Sequence, residues 1–196
     1  MQKTTFLFPE TMYHIFNRCT NKQSIFLDEN DYAKFFFLWE KYAEPIMDIY
    51  AYCLLPNHFH FLVKIKSEKE LRLLKDFKDI DNERITYRVS NSISNLFNAY
   101  SRYFNIKYDR SGKVFTERFK RKPILTDAYF SKLIDYIHKN PEKHELVDDF
   151  RDYAYSSYWL HLIDQPTRLK VKEVLDWFGG RDEYVNFHAD TYEVIS

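Results

Sequence analysis

Apolar positions along the chain recur every second residue in some stretches and every third or fourth in others, and the alternation of these two spacings predicts its elements. Residues 12–19, MYHIFNRC, are aromatic and β-branched and read as a strand. Residues 28–44 read as a helix, with Phe35, Leu38, Trp39 and Tyr42 at helical spacing, Asp28 or Asn30 as the cap and Pro45 as the stop. Two strands, 46–55 and 58–65, flank the turn signal Pro56-Asn57 and predict a hairpin. Residues 67–88 are highly charged without a clean period, which suggests a helical or flexible insertion. A second core helix is expected over 90–105, with Ile93, Leu96, Phe97, Tyr100 and Phe104 on one face. After a turn at Ser111-Gly112, residues 113–125 alternate like a strand, and 126–140 read as a helix capped by Thr126 or Asp127 and ended by Pro141. The order β-α-β-β-α-β followed by a helix predicts an α+β fold. It is the ferredoxin-like arrangement, an antiparallel sheet with helices on one face. Residues 1–149 are expected to form the main domain, with 150–196 a C-terminal extension packed on it, including a short helix over 167–180 with a glycine stop.

Composition fits one globular unit able to bury a core: 45% of the 196 residues are hydrophobic and 30% charged. Three glycines are too few for a Gly-rich phosphate loop or a dinucleotide fingerprint. Cys19 and Cys53 do not make a disulfide framework, no secretory signal opens the chain, and no apolar run approaches membrane-spanning length. A cytoplasmic setting is the expectation.

Lysine plus arginine equals aspartate plus glutamate at 29 each, so overall charge identifies no partner. Its distribution is more informative. Between Ser101 and Leu125 there are eight cations and two anions, a net +6 that the rest of the chain balances. Arg102, Arg110, Lys113, Arg118, Lys120, Arg121 and Lys122 are candidates to contact nucleic-acid phosphates, and Tyr103, Phe104, Tyr108, Phe115 and Phe119 lie among them. A solvated charged face over core aromatics would give the same pattern.

His58 and His60 stand out inside the apolar strand. Side chains alternate along a strand, so the two imidazoles share one face, about 6.6–6.8 Å apart at Cα, while Phe59, Phe61 and Val63 share the other. Such a pair can grip one divalent metal, or can be two hydrogen-bonded histidines and nothing more. On the 126–140 helix, Tyr136 and Asn140 are one turn apart on one face. Asn140 offers a hard oxygen ligand suited to Mg²⁺ or Mn²⁺, and Tyr136 a phenol able to act as a covalent nucleophile. Equally, Tyr136 could pack in the core and Asn140 merely end its helix.

Taken together and in order, the motifs resemble the REP-associated tyrosine transposases, of the HUH single-tyrosine transposase superfamily that acts on single-stranded DNA. The matching segments are YHIFNR at 13–18, His58-Phe59-His60, GKVFTERFK at 112–120, Tyr136-Ile137-His138-Lys139-Asn140-Pro141, and Ser156-Ser157-Tyr158. The resemblance implies a metal-dependent single-strand endonuclease and strand transferase, with His58, His60 and Asn140 holding Mg²⁺ or Mn²⁺. Tyr136 would form a 5′-phosphotyrosine, with His138 or Lys132 as possible helpers. It further implies hairpin DNA of repeated palindromic elements as the partner, a nucleoid location when bound, and a monomer or homodimer. Three rivals stand beside it. One is a domesticated relative that binds DNA or RNA hairpins without cutting, another a ferredoxin-like RNA-binding domain without a metal, and the third a hydrolytic metal phosphodiesterase.

Overall fold

The computed structural model describes residues 6–20, 23–116 and 118–190. Four strands form one antiparallel sheet: β1 (Met12–Arg18), β2 (Met47–Leu55), β3 (His58–Ile65) and β4 (Lys120–Pro123), in the order β2-β3-β1-β4. This is the strand order of the predicted ferredoxin-like fold. The helices are α1 (Glu29–Tyr42), the single turn α2 (Glu68–Leu71), α3 (Asn82–Lys107), α4 (Asp127–Lys143), α5 (Val171–Phe178) and α6 (Arg181–Asp190).

Alternation along the strands sorts side chains into two cores. On one face Ile15, Phe59, Phe61 and Val63 meet Phe35, Leu38 and Trp39 of α1 and Ile93, Leu96, Phe97 and Tyr100 of α3, all buried. Trp39 stacks on Phe61 with ring centroids 3.8 Å apart. Each such side chain contributes roughly 1.5–3 kcal/mol by leaving water. On the other face Ala51, Cys53 and Leu62 meet Phe130, Leu133, Ile134 and Ile137 of α4. The expected single helical layer is therefore α1 with α3, while α4, α5 and α6 cover the opposite face. Lys107 at the end of α3 ties the two helices of the first layer together, with Nζ 2.7 Å from Asp28 and 2.8 Å from the fully buried Asp31. The same two aspartates form the capping box that starts α1.

Three boundaries differ from the sequence reading. First, α3 begins at Asn82, not 90, capped by Asp81, and Ile85 and Val89 extend its buried stripe one residue in four. The charges of Glu83, Arg84 and Arg88 lie on its outer side and hide that period. Second, the strand expected over 113–125 is only Lys120–Pro123. Residues 113–116 arch instead over the end of the sheet, with Phe115 bridging Cys19 and the Thr116 hydroxyl donating to the Cys19 carbonyl at 2.9 Å. Third, α4 passes through Pro141 to Lys143. A proline this close to the end forfeits one N–H, and the last turn still closes through His144 N–H to Asn140 O and Leu146 N–H to Pro141 O.

Residues beyond 149 lie against α4 and the β2 edge. The Ser157 hydroxyl accepts from Tyr52 N–H and sits 2.8 Å from His138 of α4, so one side chain joins β2, α4 and the later segment. Gly179 ends α5 at φ +89°, as a left-handed cap. Among the described residues no helix is long and apolar enough to cross a membrane.

His161 and His188 are buried in this layer. Both ring nitrogens of His161 lie 2.9 Å from carbonyl oxygens, of Ser157 and Tyr50, and His188 meets His138 at 2.9 Å. Burial brings the pKa of His161 down to about 4 and that of His188 to about 3, from 6.5. Below pH 6.5 the unfolded chain therefore takes up protons that the folded chain refuses. The associated stability is complete above that pH and is lost as pH falls towards 4 and 3. Urea unfolding measured from pH 7.5 to 4.5 should show stability falling on acidification. His188→Gln should reduce the slope by about one proton; an unchanged slope would show that His188 is not among the groups responsible.

Candidate active site

β3 delivers His58 and His60 to the α4 side of the sheet, each 6% exposed. His58 Nδ1 lies 2.5 Å from the Asn57 carboxamide oxygen, which can only accept, so Nδ1 carries the ring proton. Nε2 is then a bare lone pair, and 3.3 Å from it is Asn140 Oδ1, a second acceptor. The Asn140 amide nitrogen points the other way and donates to the Tyr136 carbonyl at 3.4 Å. His60 Nδ1 pairs with His14 Nε2 at 2.8 Å, while His60 Nε2 is buried without a hydrogen-bond partner. Burial lowers the His58 pKa to about 4 and takes that of His60 well below 6.5, so both rings are neutral at neutral pH.

One imidazole nitrogen and one carboxamide oxygen are thus presented without protons, and a second imidazole nitrogen, His60 Nε2, without a partner. An orphaned ring nitrogen and two lone pairs facing each other are unfavourable for the protein alone, and they suit a divalent cation of the Mg²⁺ or Mn²⁺ kind. Each candidate ligand histidine also holds its other nitrogen on a fixed partner, the arrangement that orients metal-binding imidazoles. Among the described residues no group of three or more His, Cys, Asp and Glu side chains is arranged to hold a metal; this set depends on the asparagine.

Tyr136 stands at the rim of the same cleft, which has a volume of about 450 Å³. Its ring is edge-on to His60, centroids 5.4 Å apart, and to His14 at 6.3 Å. Phe16, Asn17, Arg18, Thr116, Lys120 and His144 complete the lining, and Lys143 Nζ lies 5.3 Å from the Tyr136 ring. Of the two possible helpers of the phenol, one is placed away from it. His138, two residues along α4, points to the opposite flank and is fully buried against Ser157 and His188. Lys132 is on the exposed side of α4, one turn before Tyr136.

The basic strip does not form one surface. β4 pairs with β1 so that Lys120 and Lys122 share the face of Phe16 and His14, whereas Arg121, paired with Ile15, lies on the α3 face. Lys120 lines the cleft, and Lys122 sits over the Tyr129 ring of α4 at 4.6 Å. Arg121 stacks on Phe119 at 4.0 Å and donates to Ser90 Oγ at 2.8 Å. Lys113 and Arg118 accompany it on that side. Arg102 is exposed, and Arg110 lies against Phe104 and donates to Gln23 Oε1, so both stand apart from the cleft. The aromatics expected to stack on bases are otherwise employed. Phe104, Phe115 and Phe119 are core residues, and the Tyr103 and Tyr108 hydroxyls donate to Asp31.

Sequence reasoning missed His14, Arg18, Lys143 and His144. The first two follow from register alone, because Phe16 pairs with His60 and Arg18 with His58, which places His14 diagonally across from His60. Lys143 and His144 lie just past Asn140, where Pro141 seemed to end the helix.

No family model matches the chain. A protein of Haemophilus influenzae that carries the name of a REP-associated tyrosine transposase is 30% identical over 111 residues, 55% of this chain. The match spans just over half, 57%, of that relative's own length. A solved structure of a REP-associated tyrosine transposase bound to a REP hairpin shares the fold, with TM-score 0.58 and 15% identity over 83% of this chain and 85% of that one. The resemblance to the REP-associated tyrosine transposases holds in sequence and in fold. An uncharacterised protein of Acanthamoeba polyphaga mimivirus is 20% identical over 86% of this chain and 69% of its own length.

The segments that resemble the REP-associated tyrosine transposases fall into two groups in space. YHIFNR is β1, HFH opens β3 and YIHKNP ends α4, and all three border the cleft. Ser156-Ser157-Tyr158 does not reach it: Ser157 fixes α4 from behind, through His138. The Asn57 contact predicts a tautomer. In long-range ¹⁵N–¹H spectra of the metal-free protein at pH 7, His58 should be protonated at Nδ1 and bare at Nε2. A proton on His58 Nε2 would contradict the donor set.

Proposed function

We propose that the protein is a single-strand DNA endonuclease and strand transferase of the HUH type, acting at DNA hairpins through a covalent tyrosine intermediate. One observation carries the reading: Tyr136 lines the same cleft as His58 and His60, and Asn140 Oδ1 lies behind it, 3.3 Å from His58 Nε2. His58, His60 and Asn140 would hold Mg²⁺ or Mn²⁺. Bound there, the cation supplies Lewis-acid polarisation of a phosphoryl oxygen.

The chain's own residues would do the rest. Arg18 and Lys120 flank the cleft and would hold the phosphodiester by charge, contacts that position DNA without reading its sequence. The Tyr136 hydroxyl loses its proton to solvent in the open cleft, and its oxygen bonds to phosphorus. The bond from phosphorus to the 3′-oxygen breaks, and that oxygen takes up a proton. The products are a 5′-phosphotyrosine and a free 3′-hydroxyl. Attack on the phosphotyrosine by a 3′-hydroxyl reverses the step and joins strands. His14 and Asn57 act as positioning residues through their bonds to His60 and His58. The hairpin as substrate is supported by the likeness to a transposase whose structure was solved with one.

Incubated with Mn²⁺ and end-labelled hairpin DNA carrying unpaired flanks, the protein should yield a covalent adduct stable to denaturation. Tyr136→Phe should abolish the adduct while retaining binding. Persistence of the adduct in that variant would reassign the nucleophile, cleavage with no adduct at any time would favour a hydrolase, and binding with neither would favour a hairpin-binding protein that does not cut. The cation can be followed without DNA. Mn²⁺ affinity, read from the loss of its free electron paramagnetic resonance signal, should fall about 10–100-fold in His14→Phe, which leaves His60 unoriented. His58→Ala should lose binding outright. Equal affinity in all three proteins would place the cation elsewhere.

A further inference from the structure

Behind α4 runs a buried row of hydrogen bonds whose direction is fixed by its two ends. At one end the Tyr52 backbone N–H of β2 donates to Ser157 Oγ at 2.8 Å. At the other, His188 Nδ1 lies 2.7 Å from the Tyr184 backbone carbonyl of α6, which can only accept. Between them Ser157 Oγ is 2.8 Å from His138 Nε2, and His138 Nδ1 is 2.9 Å from His188 Nε2. All three side chains are buried, and burial keeps both imidazoles neutral at neutral pH. A neutral imidazole carries one proton. The Tyr184 carbonyl claims that of His188 for Nδ1, so His188 Nε2 is a lone pair and accepts from His138. The His138 proton is therefore on Nδ1, where the Tyr184 hydroxyl oxygen is a second neighbour at 3.3 Å. His138 Nε2 is then a lone pair and takes the Ser157 hydroxyl proton, while the Ser157 oxygen accepts from Tyr52. One proton out of order would set two lone pairs or two donors against each other in the core.

This row joins the sheet, α4 and α6, and it meets α4 at a telling place. His138 is two residues from Tyr136 and two from Asn140, about 200° around the helix axis from either. A roll of α4 about its axis therefore moves all three together. The Asn140 amide nitrogen donates within its own helix, to the Tyr136 carbonyl, and so does not fix α4 to the sheet. Its oxygen nevertheless faces His58 Nε2 at 3.3 Å. We infer that Ser157 and His188 are positioning residues of the cleft: the ordered row through His138 fixes the roll of α4 and so sets where Asn140 and Tyr136 meet the histidines of β3. A residue of α6, 48 positions beyond Asn140 in the sequence, thereby belongs to the machinery of the site. That Asn140 is held there for a cation rests on the function proposed above; that the row holds it in place does not.

The test begins with the full chain at pH 7, free of metal. In long-range ¹⁵N–¹H spectra, His138 and His188 should both be protonated at Nδ1 and bare at Nε2. His188→Leu removes the acceptor, so the His138 proton should move to Nε2, towards Ser157, and the Asn140 carboxamide resonances should shift. His188→Gln offers a carboxamide oxygen in its place and should leave both as in the parent. Ser157→Ala cuts the row at its other end and should shift the Asn140 resonances likewise, which carries the test if His188→Leu does not fold. With Mn²⁺ added, affinity should fall about tenfold in His188→Leu, the low end of the range for groups that orient ligands, and be kept in His188→Gln. A proton on His138 Nε2 in the parent overturns the inference. So do Asn140 resonances and Mn²⁺ affinity that match the parent's in the folded Leu or Ala variant. A parent with the ordered tautomers and the Asn140 shifts but no Mn²⁺ binding sinks the metal reading and leaves the positioning role standing.

Discussion

The seat of α4 on the sheet is the constraint on which the rest depends. Alternation along β3 sends Phe59, Phe61 and Val63 into one core and leaves His58 and His60 on the other face beside Leu62. Imidazoles in that position are costly unless their nitrogens are satisfied. Asn57 and His14 satisfy one nitrogen on each ring. What becomes of the other depends on how closely α4 approaches, since Asn140 reaches His58 only from a helix packed hard against the sheet. Leu133, Ile134 and Ile137 provide that packing, and His138 bonded to Ser157 holds the helix from behind. The buried histidines of residues 150–190 thus bear on the cleft at one remove, by keeping Asn140 and Tyr136 where they are.

Much of this was legible in the chain. Elements that bury a regular stripe announced themselves, as α1 did through Phe35, Leu38 and Trp39, and β3 through its alternation. The face arguments for His58 with His60 and for Tyr136 with Asn140 needed only the repeats of strand and helix. What stayed hidden depended on pairing. Arg18 enters the cleft and His14 backs His60 because β1 lies next to β3 in one particular register, and a local pattern does not number that register. The start of α3 was obscured because its outer charges outnumber the two apolar residues, Ile85 and Val89, that continue the stripe. Val114, Phe115 and Phe119 imitate a strand because they plug the open end of a core, a demand set by the shape of the sheet rather than by a ladder.

Linear charge counting failed in an instructive way. Eight cations within 25 residues look like one binding face. Folding divides them, because adjacent residues of β4 point to opposite sides of the sheet, Lys120 and Lys122 with α4 and Arg121 with α3. One cation, Lys107, is spent on holding α1 to α3. The strip therefore charges two separate hollows that share Asn17 and Thr116 in their walls.

The economy of the site follows from the same chemistry. Under the proposed function a phosphodiester is exchanged for another phosphodiester, on tyrosine, so bond energy is kept and no nucleotide has to be hydrolysed to rejoin strands. A chain with three glycines has too few for a Gly-rich phosphate loop, and this reaction asks for none. What it does ask for is a nucleophile and a phosphate held in line while a long, charged polymer stays attached on both sides. An enclosed pocket would exclude such a polymer. A cleft at the edge of a rigid sheet, floored by neutral imidazoles and flanked by Arg18 and Lys120, admits it and still fixes the reacting groups on regular secondary structure.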